Sequence, residues 1–209
     1  MNNFAQLLIL GNAGAGKTSL AKRFAQGIFN EYESRTHMYN LFFQPVAVND
    51  KTIKFEIRDF GGKGTSLYAE GCYREADAAM IVYDITNKES FRRAKKFVNQ
   101  LRKKCKLNIV MTLAGNKADL LDARKVAAEE AQAYAQENGL FFMETSAKTE
   151  TNVYDMFYEI AKRLPIEKRL PDHSHHQPLL NPFSEVYKEK ESNEQGNHSK
   201  KLYFDIAFS

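Results

Sequence analysis

Gly11-Asn12-Ala13-Gly14-Ala15-Gly16-Lys17-Thr18 is the stretch that decides the fold of this chain of 209 residues. It matches G-x-x-x-x-G-K-[ST], the pattern of a phosphate-binding P-loop. An apolar run at residues 7–10 precedes it and indicates a buried strand, and residues 19–24 indicate a helix. Because a P-loop joins a strand to a helix, this context predicts an α/β domain with a nucleotide-phosphate site.

The glycines of this loop let backbone N–H groups turn toward phosphate oxygens, and the helix N-terminus adds partial positive charge. Lys17 is expected to reach the β- and γ-phosphates, and the Thr18 hydroxyl is expected to bind Mg²⁺. The phosphate-binding residues expected in this stretch are Asn12, Ala13, Gly14, Ala15, Gly16, Lys17, Thr18 and Ser19.

A second motif, Asn116-Lys117-Ala118-Asp119, selects the base. It follows the apolar run 109–114, so it lies at the carboxyl end of a predicted strand, where open α/β sheets bind ligands. The Asp119 carboxylate can accept hydrogen bonds from N1–H and N2–H of guanine, donors that adenine lacks. A site built for such donors rejects the analogue without them by about 10⁴–10⁵-fold. Guanine is therefore predicted, and a P-loop kinase that uses ATP is disfavoured.

A third motif, Glu144-Thr145-Ser146-Ala147-Lys148, follows the strand-like run 140–143. The backbone around Ala147 is expected to donate to guanine O6, while Ser146 and Lys148 support the loop. Alone this motif would indicate an ordinary strand-to-helix turn. Its position after the guanine motif predicts a second contact to the base.

A fourth motif, Asp59-Phe60-Gly61-Gly62, ends the alternating strand predicted at residues 53–58. Asp59 is expected to hold Mg²⁺ through water, and the Gly62 N–H is expected to meet the γ-phosphate. The motif is short, but the order of the four motifs along the chain is distinctive.

These motifs resemble those of the small Ras-like GTPases, and within them the Rab branch. The similarity runs from about Gln6 to Pro165. Its most specific stretches lie at residues 54–57, 83–91, 115–120, 143–149 and 160–165, and they are most similar to the early-endosomal Rab subfamily. The resemblance implies a P-loop small G domain: a six-stranded, mostly parallel sheet flanked by about five helices. It also implies a switch in vesicle and endosomal trafficking that binds GTP or GDP with Mg²⁺.

The resemblance assigns roles to two further residues. Phe29 falls where the family places an aromatic ring against guanine. Thr36 falls at the threonine of the first switch segment, whose hydroxyl binds Mg²⁺ and whose N–H binds the γ-phosphate. The positions expected to act in hydrolysis are Lys17, Thr36, Gly62 and Lys63.

The chain departs from the family at Lys63, which stands where the family has a water-orienting glutamine. Glutamine accepts a hydrogen bond from the attacking water and donates to the γ-phosphate, whereas an ammonium has donors only. Gly61 and Gly64 are also expected to loosen this loop. Slow GTP hydrolysis is therefore predicted.

The surface that Rab effectors read also departs from the family. Arg58 stands where the strand between the switches normally ends in tryptophan, and residues 37–41 replace a run of small residues that ends in phenylalanine. Rab regulators or effectors are expected as partners, but their identity does not carry over. The alternative to a cycling switch is a nucleotide-locked Rab mimic, such as a microbial effector secreted into a host cytosol.

Cysteine content, hydropathy and net charge predict the compartment and the classes of partner. Two cysteines, Cys72 and Cys105, give no disulfide framework, so a reducing compartment is expected. We find no signal peptide and no apolar stretch long enough to span a membrane, so a cytoplasmic monomer is expected. No cysteine follows Cys105, so a prenyl anchor is not expected. The modest net charge of +4 gives no reason to expect nucleic acid as a partner.

The predicted helix at residues 88–105 has one apolar and one basic face. The basic face consists of Arg92, Arg93, Lys95, Lys96, Arg102, Lys103 and Lys104. A solvated face is the favoured interpretation, and peripheral electrostatic contact with an endosomal membrane is the alternative. Composition changes at Pro165, so we expect a small G domain over residues 1–165 and a disordered tail over 166–209.

Overall fold

A six-stranded sheet forms the centre of the protein. The structure is a computed structural model that describes residues 3–61 and 67–165. The strands are β1 (Asn3–Gly11), β2 (Tyr39–Val48), β3 (Lys51–Phe60), β4 (Ala78–Asp84), β5 (Val110–Asn116) and β6 (Phe141–Thr145). The helices are α1 (Lys17–Gln26), α2 (Leu67–Glu75), α3 (Lys88–Lys104), α4 (Ala128–Glu137) and α5 (Val153–Arg163), with a short 3₁₀ turn at Leu121–Ala123.

The strand order is β2-β3-β1-β4-β5-β6. Strands β2 and β3 pair antiparallel, and every other neighbouring pair is parallel. This arrangement confirms the predicted fold. It also brings the carboxyl ends of five strands to one edge, and each of the four predicted motifs begins at the end of one of those strands.

The two faces of the sheet are covered by different helices. On one face, α1 and α5 contribute to the core that includes Leu20 and Phe157, and the Phe24 ring stacks on Phe157 at a centroid distance of 3.8 Å. On the other face, α3 and α4 pack through Phe91 and Ala131. Strand β4 is buried along its whole length, as expected for a central parallel strand that is covered on both sides.

Local sequence accounts for two of the element boundaries and turns. The Asn87 side chain caps α3 by accepting hydrogen bonds from two backbone N–H groups of its first turn. The turn between β2 and β3 places Asn49 in the left-handed region, with φ of 44°. Strand β1 begins earlier than the apolar run at residues 7–10 suggested, because parallel pairing with β3 starts at Asn3.

The predictions for Gly62, Lys63 and Gly64, and for the tail at 166–209, lie outside the described residues. Within residues 3–61 and 67–165, no helix combines the length and the apolar character needed to cross a bilayer.

Gly115 allows β4 and β5 to pack closely. It pairs with Tyr83, a fully buried residue. A Cβ atom at Gly115 would lie only 2.6 Å from the Tyr83 hydroxyl oxygen. We therefore expect Gly115→Ala to lower the free energy of unfolding by about 1–3 kcal/mol, the usual cost of overpacking a core. Urea unfolding followed by circular dichroism measures this change.

Gly71→Ala is the matched control. Gly71 lies in α2, and nothing is found within 4 Å of the position where its Cβ would stand. Alanine favours a helix over glycine, so this variant should be as stable as the original protein or slightly more stable. Equal destabilisation by the two substitutions would contradict the packing argument.

Candidate nucleotide and magnesium site

The P-loop connects β1 to α1 through left-handed backbone. Gly14 has φ of 78° and Gly16 has φ of 90°, conformations that glycine adopts without strain. Gly16 also lies against the Asn116 side chain, since a Cβ atom there would stand 2.1 Å from Asn116 Nδ2. The loop therefore needs glycine at this position both for its conformation and for its contact with the guanine motif.

Lys17 places a buried cation at the start of α1. The residue is only 6% exposed, and its Nζ donates to the carbonyl oxygen of Asn12 at 3.0 Å. Burial lowers the pKa of Lys17, and the nearby Asp59 charge opposes that shift. An ammonium has three donors, and in the described part of the chain one of them is used by the Asn12 carbonyl. An anionic phosphate would satisfy the remaining donors.

Three oxygen-bearing side chains from different elements meet beside Lys17. The Thr18 hydroxyl donates to Asp59 Oδ2 at 2.6 Å, and it lies 2.8 Å from the Thr36 hydroxyl oxygen. Thr18 is the second residue of α1, Thr36 precedes β2, and Asp59 is near the end of β3. The structure thus brings together the three residues that the sequence predicted as Mg²⁺ ligands.

The chemistry of this cluster fits Mg²⁺. Mg²⁺ takes oxygen ligands in octahedral geometry at about 2.0–2.1 Å, so adjacent ligands stand roughly 3 Å apart, close to the separation of the two threonine oxygens. Asp59 is 0% exposed, and its Oδ1 atom has no hydrogen-bond partner among the described residues. Burial raises the pKa of Asp59. A divalent cation, or water bound to one, would satisfy this oxygen and favour the charged carboxylate.

Asn116 ties the base end of the site to the phosphate end. Its Nδ2 donates to the Ala15 carbonyl at 2.9 Å. Its Oδ1 accepts from the Ala147 N–H at 3.3 Å. One buried side chain therefore holds the P-loop and the third motif in fixed positions relative to each other. The observed role of Asn116 is structural.

Asp119 is exposed, and a hydrogen bond from Ser146 orients its carboxylate. The buried Ser146 hydroxyl donates to Asp119 Oδ1 at 2.5 Å. Lys117 adopts φ of 68° and its Nζ forms an ion pair with Asp84 Oδ2 at 2.6 Å. These contacts fix the loop and leave Asp119 exposed, so its carboxylate is accessible to a ligand.

Phe29 and the third motif both contact Arg23 of α1. Arg23 of α1 donates to the Ala147 carbonyl at 2.9 Å, and its guanidinium carbon lies 5.9 Å from the centre of the partly buried Phe29 ring. Lys148 forms an exposed ion pair with Glu31 at 3.3 Å. The predicted base-contacting residues thus lie around one loop.

Sequence analysis missed three residues that shape the site. Asp84 anchors Lys117, Arg23 anchors the third motif, and Asn40 donates to both Asp59 and Thr36. Asp84 had a usable signal, since it directly follows the apolar run at residues 78–83. Arg23 and Asn40 had none, because their partners are distant in sequence and come close only in the folded chain.

The structure also places Gly61 differently from expectation. Sequence analysis expected it to loosen the loop after β3. Instead Gly61 is buried, and its N–H donates to the Met38 carbonyl at 2.9 Å. A Cβ atom here would stand 2.4 Å from the Thr36 carbonyl oxygen, so the missing side chain permits a close approach of two segments.

Comparison with known proteins yields consistent matches. A family model described as the Ras family matches residues 6–166. Ras-related protein RABF2a of Arabidopsis thaliana is 60% identical over 162 residues, which cover 77% of this chain and 81% of that protein. Ras-related protein Rab5 of Nicotiana tabacum is 54% identical over 187 residues, 89% of each chain. Ras-related protein Rab-5A of Dictyostelium discoideum is 50% identical over 161 residues, 77% of this chain and 80% of that protein.

The position of Asp119 generates a prediction about base selection. The unmodified protein should prefer GTP over ATP by about 10⁴-fold, because an adenine base leaves the carboxylate without its donors. Asp119→Asn should weaken GTP binding and shift preference toward xanthosine triphosphate, whose C2 carbonyl can accept from the new amide. Competition titration against a fluorescent nucleotide measures both effects.

Asp122→Asn makes the same chemical change in the exposed turn at Leu121–Ala123 and serves as the control. It should leave base preference unchanged. Equal affinity of the unmodified protein for ATP and GTP would refute the assignment of Asp119.

Proposed function

The chain belongs to the Ras family, and within it to the Rab branch with early-endosomal relatives, and from this premise we propose how it works as a switch. It is a small GTPase that binds guanine nucleotide and acts in endosomal trafficking. The proposal concerns which residues bind the nucleotide and how fast GTP is hydrolysed. The cluster of Thr18, Thr36 and Asp59 beside Lys17 is the observation that carries it.

In this proposal Thr18 and Thr36 would hold Mg²⁺ through their hydroxyl groups, and Asp59 would hold it through water. The ion would supply positive charge that stabilises the negative charge developing during hydrolysis. Lys17 would bind the β- and γ-phosphates. Phosphoryl transfer requires little more from the protein than positioning and electrostatic stabilisation. Lys17 and the residues proposed to hold Mg²⁺ are present in this chain, so the electrostatic part of that requirement is met.

Positioning of the attacking water is what the sequence puts in doubt. The residue at the glutamine position is Lys63. A lysine ammonium can lie near phosphate oxygens, but it cannot accept a hydrogen bond from water. We propose that the protein hydrolyses GTP slowly and stays longer in its GTP-bound state. Activating proteins that work through the family's glutamine would not accelerate it.

Single-turnover hydrolysis of bound GTP tests this proposal. Intrinsic rates of related GTPases that keep the glutamine are on the order of 10⁻⁴–10⁻³ s⁻¹. Loss of the oriented water should cost roughly a further 10–100-fold. Lys63→Gln should recover part of that loss, because the new amide both accepts from water and donates to phosphate.

Lys51→Gln makes the same substitution at an exposed position at the start of β3 and should not change the rate. A rate in the unmodified protein equal to that of glutamine-bearing relatives would show that another residue positions the water. Complete absence of hydrolysis, also after Lys63→Gln, would instead favour the nucleotide-locked mimic.

The end of α3 offers a surface for peripheral membrane contact. Arg102, Lys103 and Lys104 occupy its last turn, and the fully exposed Leu107 lies in the following loop. Arg102 donates to the Asn138 carbonyl at 2.6 Å, which holds this end of α3 against α4. We propose that the basic turn contributes to contact with anionic lipid, with Leu107 as an apolar tip.

Sedimentation with lipid vesicles tests this contact. Combined Arg102→Gln, Lys103→Gln and Lys104→Gln should reduce binding to vesicles containing phosphatidylserine by roughly 100-fold, at about 1 kcal/mol per basic group. Binding should also weaken as salt is raised, because surface charges are screened. Lys51→Gln, Lys125→Gln and Lys162→Gln together remove the same charge elsewhere and should have a smaller effect. Equal losses from the two triple variants would contradict a localised contact.

A further inference from the structure

Asn40 closes a ring of hydrogen bonds around the predicted magnesium site. Its Nδ2 lies 3.0 Å from Asp59 Oδ2 and 3.3 Å from Thr36 Oγ1. Thr18 donates to the same carboxylate oxygen at 2.6 Å and contacts the Thr36 hydroxyl at 2.8 Å. The ring therefore joins α1, the segment before β2, the first residues of β2 and the end of β3.

The protons of this ring can be assigned by counting donors. A side-chain amide has two N–H groups, so Asn40 can donate to Asp59 and to Thr36 at once. The single proton of Thr18 goes to Asp59, so the bond between the threonines uses the proton of Thr36. Every donor is used once, and each bond joins two protein groups. Thr36 still has a lone pair available for a cation.

A backbone contact supports the same arrangement. Strands β2 and β3 pair as far as Tyr39 and Phe60. Beyond that pair the Gly61 N–H donates to the Met38 carbonyl at 2.9 Å, so the ladder extends toward Thr36. Any side chain at Gly61 would collide with the Thr36 carbonyl, whose oxygen lies 2.4 Å from the Cβ position. The segment before β2 is thus fixed through its side chains and its backbone.

We propose that Asn40 is a positioning residue that, together with Gly61, latches Thr36 over the magnesium site without help from the γ-phosphate. This inference rests on the proposed function. In GTPase switches this segment is ordered by contacts to the γ-phosphate and Mg²⁺ and is released after hydrolysis. Here the protein supplies part of that ordering itself. The first switch segment therefore stays closed in the GDP-bound state as well as in the GTP-bound state.

The latch should raise the population of the closed state of the first switch segment and slow the release of GDP. A ligand shifts a two-state segment only by its differential affinity for the two states. When the protein already favours the closed state, binding of the γ-phosphate can raise the population of that state only slightly. The closed segment also covers the nucleotide phosphates, so GDP should leave slowly.

Hydrogen exchange tests the latch at the backbone amides of residues 34–41, read by mass spectrometry in the GDP·Mg²⁺ form and with a non-hydrolysable GTP analogue. In the original protein we expect protection in the two forms to agree within about twofold. Asn40→Ala should speed exchange in the GDP form by about tenfold or more, the effect of losing a hydrogen bond to a charged group, and leave the GTP-analogue form protected. GDP dissociation should accelerate to a similar extent.

Gln44→Ala is the matched control. Gln44 is a partly buried residue of β2, and its side chain lies on the same face of the strand as that of Asn40. The Gln44 side chain makes no hydrogen bond within residues 3–61 and 67–165. It should behave as the original protein. Gly61→Ala should reproduce the effect of Asn40→Ala through the backbone, and thermal melting of the GDP-bound variants shows that each one is folded.

The outcomes separate the latch from the proposed function. If the original protein exchanges in its GDP form as fast as Asn40→Ala, the latch does not exist, although guanine nucleotide binding remains. If exchange is equal in Asn40→Ala and Gln44→Ala, Asn40 is not the positioning residue. Failure of every variant and of the original protein to bind GDP would overturn the proposed function itself.

Discussion

Two buried groups of opposite charge, Lys17 and Asp59, set the constraint on which the rest of the site depends. Both lie at the carboxyl edge of the sheet, where burial lowers the pKa of the lysine and raises the pKa of the aspartate. Each group is therefore costly to keep charged unless a ligand of opposite sign is bound. In the proposed site a nucleotide phosphate with Mg²⁺ would supply both signs at once, beside the hydroxyl groups of Thr18 and Thr36.

The sheet topology brings the residues of the candidate site together. Because β1, β3, β4, β5 and β6 are parallel, their loops meet at one edge, and short motifs far apart in sequence become neighbours. Asn116 then couples the motifs by bonding to the P-loop on one side and to the Ala147 backbone on the other. A single buried amide therefore contacts both the P-loop and the loop after β6. The position of Thr36 is coupled to β2 and β3 in the same way through Asn40.

Sequence alone was sufficient for the architecture, and the structure brings the motifs of the predicted site to one edge of the sheet. The P-loop between a strand and a helix and the guanine motif after an apolar run both predicted elements that the structure confirms as strands and helices. The contacts of Arg23 and Asn40 were not predictable, because each reaches a partner that only tertiary packing brings near. Gly61 shows the limit most clearly. A glycine at this position predicted a flexible loop. In the structure the absence of Cβ instead lets the Thr36 backbone approach, and no local sequence pattern reveals that neighbour.

The nucleotide carried by the purified protein tests the account most directly. The protein should be isolated in buffer with Mg²⁺, denatured, and its released nucleotide identified and quantified by chromatography. The account predicts guanine nucleotide in a ratio to protein of about one, with a substantial share still present as GTP because hydrolysis is slow. Bound adenine nucleotide, or a protein that binds neither GTP nor GDP on addition, would contradict it.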